Sequence, residues 1–349
     1  MKTITSIIYF TFAVFTLGCS ALAQEALDSV SIRVVTTFDY PGAGNLTQPQ
    51  KINDARDIVG TYIDSNGAWR GFVRFANGNF SAPIVEPNDS CNFTEGRGIN
   101  NSRLICGDYA SGADCSTVHG FFLVGHNFSQ FDAAGFPNTS VLGVNNTGDF
   151  AGSVTDAGGF TQAYVSLSGT ITLFSVPGAT HTAAYQLNNL NQLEGYYIDG
   201  SGIYHGYWRD ADRTMHFPID PHASVQTILF GNNDSNWMVG RYGDSTGMTH
   251  GLFFVPPNTF ITFDYPGSTF TTFNGINAQG FICGRYTDAS GIDHGILARV
   301  RGVPAASQTG MEMKAYDSPS PYTPLNPPIA RPVIPVVRGV VRRNPGPLS

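Results

Sequence analysis

The stretch from residue 263 to 300 opens with Phe263-Asp264-Tyr265-Pro266-Gly267. It passes through Gly275-Ile276-Asn277 and Ile282-Cys283-Gly284-Arg285-Tyr286, and continues with Asp288, Gly291 and His294-Gly295. The same signs recur along the chain. The anchor Asn falls at Asn53, Asn100, Asn145, Asn188, Asn233 and Asn277, spaced 47, 45, 43, 45 and 44 residues apart. Seven residues after each stands Gly60, Gly107, Gly152, Gly195, Gly240 or Gly284. Six copies of one supersecondary unit are expected. Short apolar segments alternate with turn signals within a copy, the pattern of an antiparallel meander. In the last copy, strands are expected at about Thr272 to Asn277, Phe281 to Thr287 and Asp293 to Arg299. A fourth strand type is the Phe-Asp-Tyr-Pro segment, at Val35 to Tyr40 and Ile261 to Tyr265, where proline ends the ladder for want of a donor. Four strands in about 45 residues make one propeller blade.

The ends of the chain are complementary. A Phe-Asp-Tyr-Pro strand precedes the first Asn unit, and the sixth unit ends at Val300 with no such strand behind it. If the strand around Ser31 to Tyr40 completes the last blade, the ring closes and only short blade edges remain. The expected fold is therefore all-β: a six-bladed β-propeller with four-stranded blades, closed by the N-terminal strand, over residues 24–300. An open solenoid would need capping repeats, and none is visible.

Composition agrees. Of 349 residues only 13% are Asp, Glu, Lys or Arg, against roughly 25% in an ordinary soluble domain. Gly contributes 40 residues, Pro 21 and aromatics 12%, which favours short strands and tight turns over amphipathic helices. The net charge of −7 argues against a nucleic-acid partner.

Residues 1–23 combine Lys2, an apolar run from Ile4 to Leu17 and Ala21-Leu22-Ala23, the form of a secretory signal peptide cleaved after Ala23. Cys19 raises a lipoprotein alternative, but Leu17 stands one place later than a lipid-attachment box puts it. No other run approaches the roughly 20 apolar residues that span a bilayer, so a secreted protein, extracellular or periplasmic, is expected, and a monomer. Residues 301–349 hold ten of the 21 prolines and lack the repeat, and read as a disordered tail. Cys106 and Cys283 occupy the same repeat position, where another copy has Val59, and read as buried free thiols. Cys91 and Cys115 lie in polar, turn-like sequence on one side of the expected ring and read as a disulfide, the alternative being two exposed thiols.

The string Ile/Leu/Val-Asn, Ile-Val-Gly-x-Tyr-x-Asp and His-Gly-Phe, with Asp-Tyr-Pro-Gly-Ala between copies, resembles the HAF-type extracellular repeat of exported bacterial proteins. The resemblance covers residues 34–300, although copy five has Phe230-Gly231-Asn232-Asn233 where Gly-Ile-Asn is typical. It implies export and a repeat architecture, and it brings no activity and no catalytic residue.

Asp199 with His205, Asp244 with His250 and Asp288 with His294 have the look of catalytic or metal pairs. They recur too regularly for an active site, which normally breaks a repeat's symmetry. Asp64, Asp156, Asp199, Asp244 and Asp288 each open an Asp-x-x-Gly turn. His119, His205, His250 and His294 are expected to hydrogen-bond along their strands, with Arg70 and Gln162 in their place in copies one and three. No catalytic residue, metal or cofactor is expected. Trp69 and Trp208 read as core, and Trp237, beside an Asn turn, as an exposed binding residue. The loop face rich in Pro-Gly and Asp-x-x-Gly, whose lengths vary, is where a ligand is expected. The leading expectation is an exported, non-enzymatic binding or scaffold module for an extracellular polysaccharide or protein. The alternatives are a hydrolase or lyase with an acidic pocket at the mouth of the ring and a purely structural matrix component.

Overall fold

The computed structural model describes residues 30–303. The leader and all but the first three residues of the proline-rich tail lie outside the described residues. Among these there are strands and no helix.

Strand β1 (Ser31–Phe38) precedes six meanders. Unit one holds β2 (Ala43–Ile52), β3 (Ile58–Asp64) and β4 (Trp69–Arg74). Unit two holds β5 (Thr94–Ile99), β6 (Ile105–Ser111), β7 (Thr117–Val124) and β8 (Asn127–Phe131). Unit three holds β9 (Asn138–Val144), β10 (Phe150–Thr155), β11 (Thr161–Leu167) and β12 (Thr170–Phe174). Unit four holds β13 (His181–Leu187), β14 (Leu193–Ile198), β15 (Tyr204–Arg209) and β16 (Met215–Ile219). Unit five holds β17 (Gln226–Asn232), β18 (Met238–Gly243), β19 (Thr249–Val255) and β20 (Thr259–Phe263). Unit six holds β21 (Phe270–Ile276), β22 (Phe281–Thr287) and β23 (Asp293–Arg301). β23 pairs antiparallel with β1, from Ser31 opposite Arg301 to Phe38 opposite Gly295.

Unit one departs from the expected four strands. Beyond β4 the chain makes only isolated bridges, Arg74 to Phe80 and Gly71 to Ile84. Pro83 lies between the two bridges and supplies no N–H, so a continuous ladder cannot form there.

Every first strand carries a β-bulge at one place, three residues before its anchor Asn. The register against the second strand skips Gln50, Arg97, Leu142, Tyr185, Phe230 and Asn274. The bulge presses the first strand onto the second, which accounts for the glycine seven residues after each Asn. A Cβ on Gly152 would stand 1.9 Å from the Ser140 carbonyl oxygen, and one on Gly284 2.0 Å from that of Thr272. Each first strand also carries a buried threonine six residues before its anchor Asn: Thr47, Thr94, Thr139, Thr182, Thr227 and Thr271. Five of the hydroxyls accept a hydrogen bond from the incoming loop, at the amides of Tyr40, Glu86, Ala133, Val176 and Tyr265.

The anchor asparagines join the units. Each Oδ1 accepts the backbone N–H four residues on, at Asp57, Leu104, Asp149, Gln192, Trp237 and Phe281. Each Nδ2 donates to the carbonyl of the next anchor: Asn53 to Asn100, Asn100 to Asn145, Asn145 to Asn188, Asn188 to Asn233, Asn233 to Asn277, and Asn277 back to Asn53. The place uses a short side chain whose acceptor oxygen and donor nitrogen are separate atoms, which an ionised Asp, with no donor, does not offer. Apolar side chains of neighbouring units interdigitate between the sheets. Val59 packs with Ile99 and Phe121, and Val239 and Phe253 with Phe273 and Ile282. Burial of this surface, at about 25 cal/mol per Å² of apolar area, supplies the main driving force.

Candidate functional site

The repeated Asp and His residues lie at one end of the units and are spent on each other. Asp64 Oδ1 accepts from the amides of Asn66 and Ala68, and Asp199, Asp244 and Asp288 accept from the matching amides of their own turns. Asp156 accepts from the Phe160 amide. The histidines clamp these turns to the outer strand. His119 Nδ1 meets Asp132 at 2.9 Å, His205 Nδ1 Asp220 at 2.6 Å, His250 Nδ1 Asp264 at 2.8 Å and His294 Nδ1 Asp39 at 3.0 Å. The second nitrogen of His205, His250 and His294 faces the turn Asp at 3.3 to 3.5 Å. Each ring stacks on a tyrosine, at Tyr109, Tyr197, Tyr242 and Tyr286. In unit one Arg70 serves instead, between Asp64, Asp89 and Asn92. Although partial burial opposes it, hydrogen bonds donated to Asp39 and Asp288 raise the pKa of His294, and the Thr246 hydroxyl leads the bonds that hold Asp244 down at about 2. These clusters tie turn to strand, unit by unit.

Cys91 and Cys115 form a disulfide, with Cα atoms 5.7 Å apart, that joins the entry to unit two with its Asp-containing hairpin. Cys106 and Cys283 are free and buried, and burial pushes both thiols up to about 12. Trp237 is half-buried, edge-on to Phe253 at 5.9 Å, beside a shallow hollow of about 500 Å³ with Gln279 and Arg299. It packs into the core cluster of unit six rather than standing free. Trp208 is buried and stacked on His216 at 4.2 Å, and Trp69 is half-buried against Phe93.

The asymmetry of the molecule lies along the axis that the asparagine cycle encloses, where a cavity of about 60 Å³ touches all six anchors. The bulge residues differ from unit to unit: an amide, a guanidinium, an aliphatic chain, a phenol, a phenyl ring and an amide. Bulges re-aim side chains, and here they send the least repeated ones inward. Lys51 and Tyr185 belong to units one and four, opposite in the cycle, yet the Lys51 ammonium lies 5.7 Å from the Tyr185 ring centroid.

Several charged groups meet in this interior. Arg97 bonds both Glu95 and Asp108, the latter at 3.2 Å, and burial of Glu95 pushes its carboxyl up to about 7. Glu194 stands where the other units put Val59, Cys106, Ala151, Val239 and Cys283, all wholly buried. Neither of its carboxylate oxygens has a hydrogen-bond partner among the described residues, and burial pushes it up to about 8. Lys51 and Gln186 replace the glycines found two residues before the anchor in the other units, and burial brings Lys51 down to about 8 against the pull of Glu194. On the far side of the axis, Tyr185 stands edge-on to Phe230 at 5.0 Å. The Arg241 guanidinium lies over the rings of Phe230 at 5.6 Å and Phe270 at 5.3 Å. Arg285 shares the Phe270 ring at 4.6 Å. Aromatic faces and a guanidinium together can hold a sugar ring and an acidic substituent.

Comparison of repeats missed this site because it registers what recurs. The signal available was the converse: the inner-strand position at which all six copies disagree.

No protein-family model matches the chain, and no curated protein matches it. Among solved structures it is similar to an Aleuria aurantia lectin mutant in complex with Fucα1-6GlcNAc, at 12% identity and a TM-score of 0.49 over 77% of this chain and 100% of that one. It is also similar to the Aleuria aurantia lectin described as a six-bladed β-propeller, at 12% identity and a TM-score of 0.44 over 71% and 91%. TolB from Acinetobacter baumannii is similar at 10% identity and a TM-score of 0.44 over 74% and 56%. Likeness at this level decides nothing about function.

Proposed function

We propose that the chain is a closed six-bladed β-propeller of HAF-type repeats, exported from the cell, that binds an extracellular polysaccharide without cleaving it. The asparagine cycle and the pairing of β1 with β23 support closure. The leader sequence and the Cys91–Cys115 bridge support an oxidising compartment. Binding is carried by one observation: the recurrent Asp and His residues are consumed in holding turns, while the non-recurrent bulge residues, Tyr185 and Phe230 among them, gather in the interior beside Arg241. A rigid symmetric frame around an asymmetric aromatic and charged interior is the arrangement of a recognition site.

Glu95, with its carboxyl near 7 beside Asp108, favours a second reading as a hydrolase or lyase. Arg97 occupies both carboxylates, which leaves neither free to serve as acid or base. The test is a thermal-shift screen of the full chain against soluble polysaccharides, with product analysis of each hit. Ligand that binds the folded state raises the melting temperature by mass action. A shift without new reducing ends supports the proposal; released oligosaccharides would replace it with the enzymatic reading, and no shift with any polymer would refute polysaccharide binding.

A further inference from the structure

Arg241 is anomalous in an acidic protein. Its guanidinium and that of Arg285 lie over one ring, Phe270, at 5.3 and 4.6 Å, so two like charges are held side by side. The only carboxylate bonded to either among the described residues is Asp293, and both of its oxygens are engaged. One of its oxygens is bonded to Arg285 and the other accepts from the Thr287 hydroxyl at 2.5 Å. Arg285 Nε is buried without a partner. His181 adds no further positive charge: burial brings it down to about 4, and it is hydrogen-bonded to the Tyr196 hydroxyl at 3.0 Å. Arg241 nevertheless keeps some contact with solvent. Beside it lie aromatic rings, Phe230 edge-on to Tyr185 and Tyr185 at 5.8 Å from Tyr196, whose own ring is stacked on both His181 and Tyr204.

An unbalanced guanidinium pair calls for an anion from outside, and the aromatic rings beside it call for a ring with C–H faces. We propose that this part of the interior takes a carboxylate-bearing glycan, with a uronate carboxylate on Arg241 and a sugar ring against Phe230 and Tyr185. The inference rests on the polysaccharide-binding reading above and names the class of polysaccharide. Arg241 binds the ligand directly; Arg285, tied to Asp293, holds the Phe270 ring and raises the local positive potential.

The test is isothermal titration of the full chain with a uronate hexamer and with the same hexamer after reduction of its carboxyl groups to primary alcohols. Wild type should bind the uronate form, more weakly as salt rises, and the reduced form at least tenfold less tightly. Arg241→Met should weaken uronate binding by about 10- to 100-fold, the loss of a charge-assisted bidentate contact, and Arg241→Lys by an intermediate factor. Melting curves of both variants establish that they fold; if Arg241→Met does not, Arg241→Lys and the salt series on wild type carry the comparison. Equal affinity for the two hexamers would overturn the acidic-glycan inference while leaving polysaccharide binding intact. Binding of a sulfated hexamer through Arg241 with none of the uronate would overturn the choice of carboxylate. Failure of every glycan, charged or neutral, would remove the underlying reading instead.

Discussion

Asn100→Asp isolates the bond that joins one repeat to the next. Asn100 is 4% exposed, and its Nδ2 donates to the Asn145 carbonyl at 2.9 Å. Its Oδ1 accepts from the Ser102 amide, the Ser102 hydroxyl and the Leu104 amide at 3.0, 2.9 and 3.0 Å. Aspartate keeps those three bonds and the shape, but turns the donor into an oxygen facing a carbonyl oxygen. A buried acceptor left without its donor costs about 1–3 kcal/mol, and the oxygen–oxygen contact adds to it. A loss of about 2–3 kcal/mol is expected at pH 7, and with a urea slope of about 3 kcal/mol/M the midpoint should fall by roughly 1 M. The sign of the pH dependence follows from protonation, because a neutral carboxyl can donate to Asn145 and restore the bond. The folded-state pKa of the new group is therefore raised above its unfolded value. Its contribution is complete below about pH 4 and is lost as pH rises through the folded pKa. Urea melts of Asn100→Asp and wild type at pH 4, 5.5 and 7 measure it. A penalty under about 0.5 kcal/mol at pH 7, or one that does not shrink on acidification, would refute the role given to the asparagine cycle.

Glu194 gives a second pH effect. Burial raises its pKa to about 8, so stability should decline as pH rises from about 5 through 8, and Glu194→Gln should flatten that decline in melting curves. Lys51, lowered to about 8, acts in the opposite sense and only above that pH, where its buried charge is relieved as the proton leaves. A third expectation concerns a second tier of bonds, in which Asp54, Asn101, Asn146 and Asn189 donate their amides to the side chains of Asn101, Asn146, Asn189 and Asp234, and Ala278 donates to Asp54. Ala278 offers no side-chain acceptor to Asp234. Ala278→Asn should complete the tier and raise stability by up to about 1 kcal/mol in a urea melt; a lower midpoint would count against the pattern.

What the sequence made legible was what repeats. The anchor asparagines and their glycines answer to a backbone geometry that recurs six times and the Asp-x-x-Gly turns to one that recurs five times, and β22 runs over the expected Phe281 to Thr287. The partners of the histidines were harder to see. Asp39, Asp132, Asp220 and Asp264 stand one residue beyond the end of the neighbouring outer strand, 13 to 15 residues away in three cases and 255 in the fourth. The irregular end of unit one follows from Pro83, whose missing donor matters only once its strand partner is known. The axial residues were least legible, because a bulge is invisible in hydrophobic alternation and only pairing reveals that Arg97 or Tyr185 turns inward. Glu194 and Lys51 were visible as departures from Val or Gly at their repeat positions, and it takes the fold to show that both lie in the interior.

Closure of the ring is the claim on which the rest depends, and a cross-link between its ends tests it most directly. Arg33 and Arg299 are partners across β1 and β23, and both reach solvent. Antiparallel partners stand about 4.5–5.5 Å apart at Cα, within the range a disulfide spans. In the double variant Arg33→Cys/Arg299→Cys, mild oxidation should give an intramolecular bridge joining the first strand to the last. Peptide mapping and faster migration without reductant would reveal it, while Cys106 and Cys283 stay unreacted in the folded protein. Only intermolecular cross-links, or none, would mean that the ends do not meet and that the ring is open.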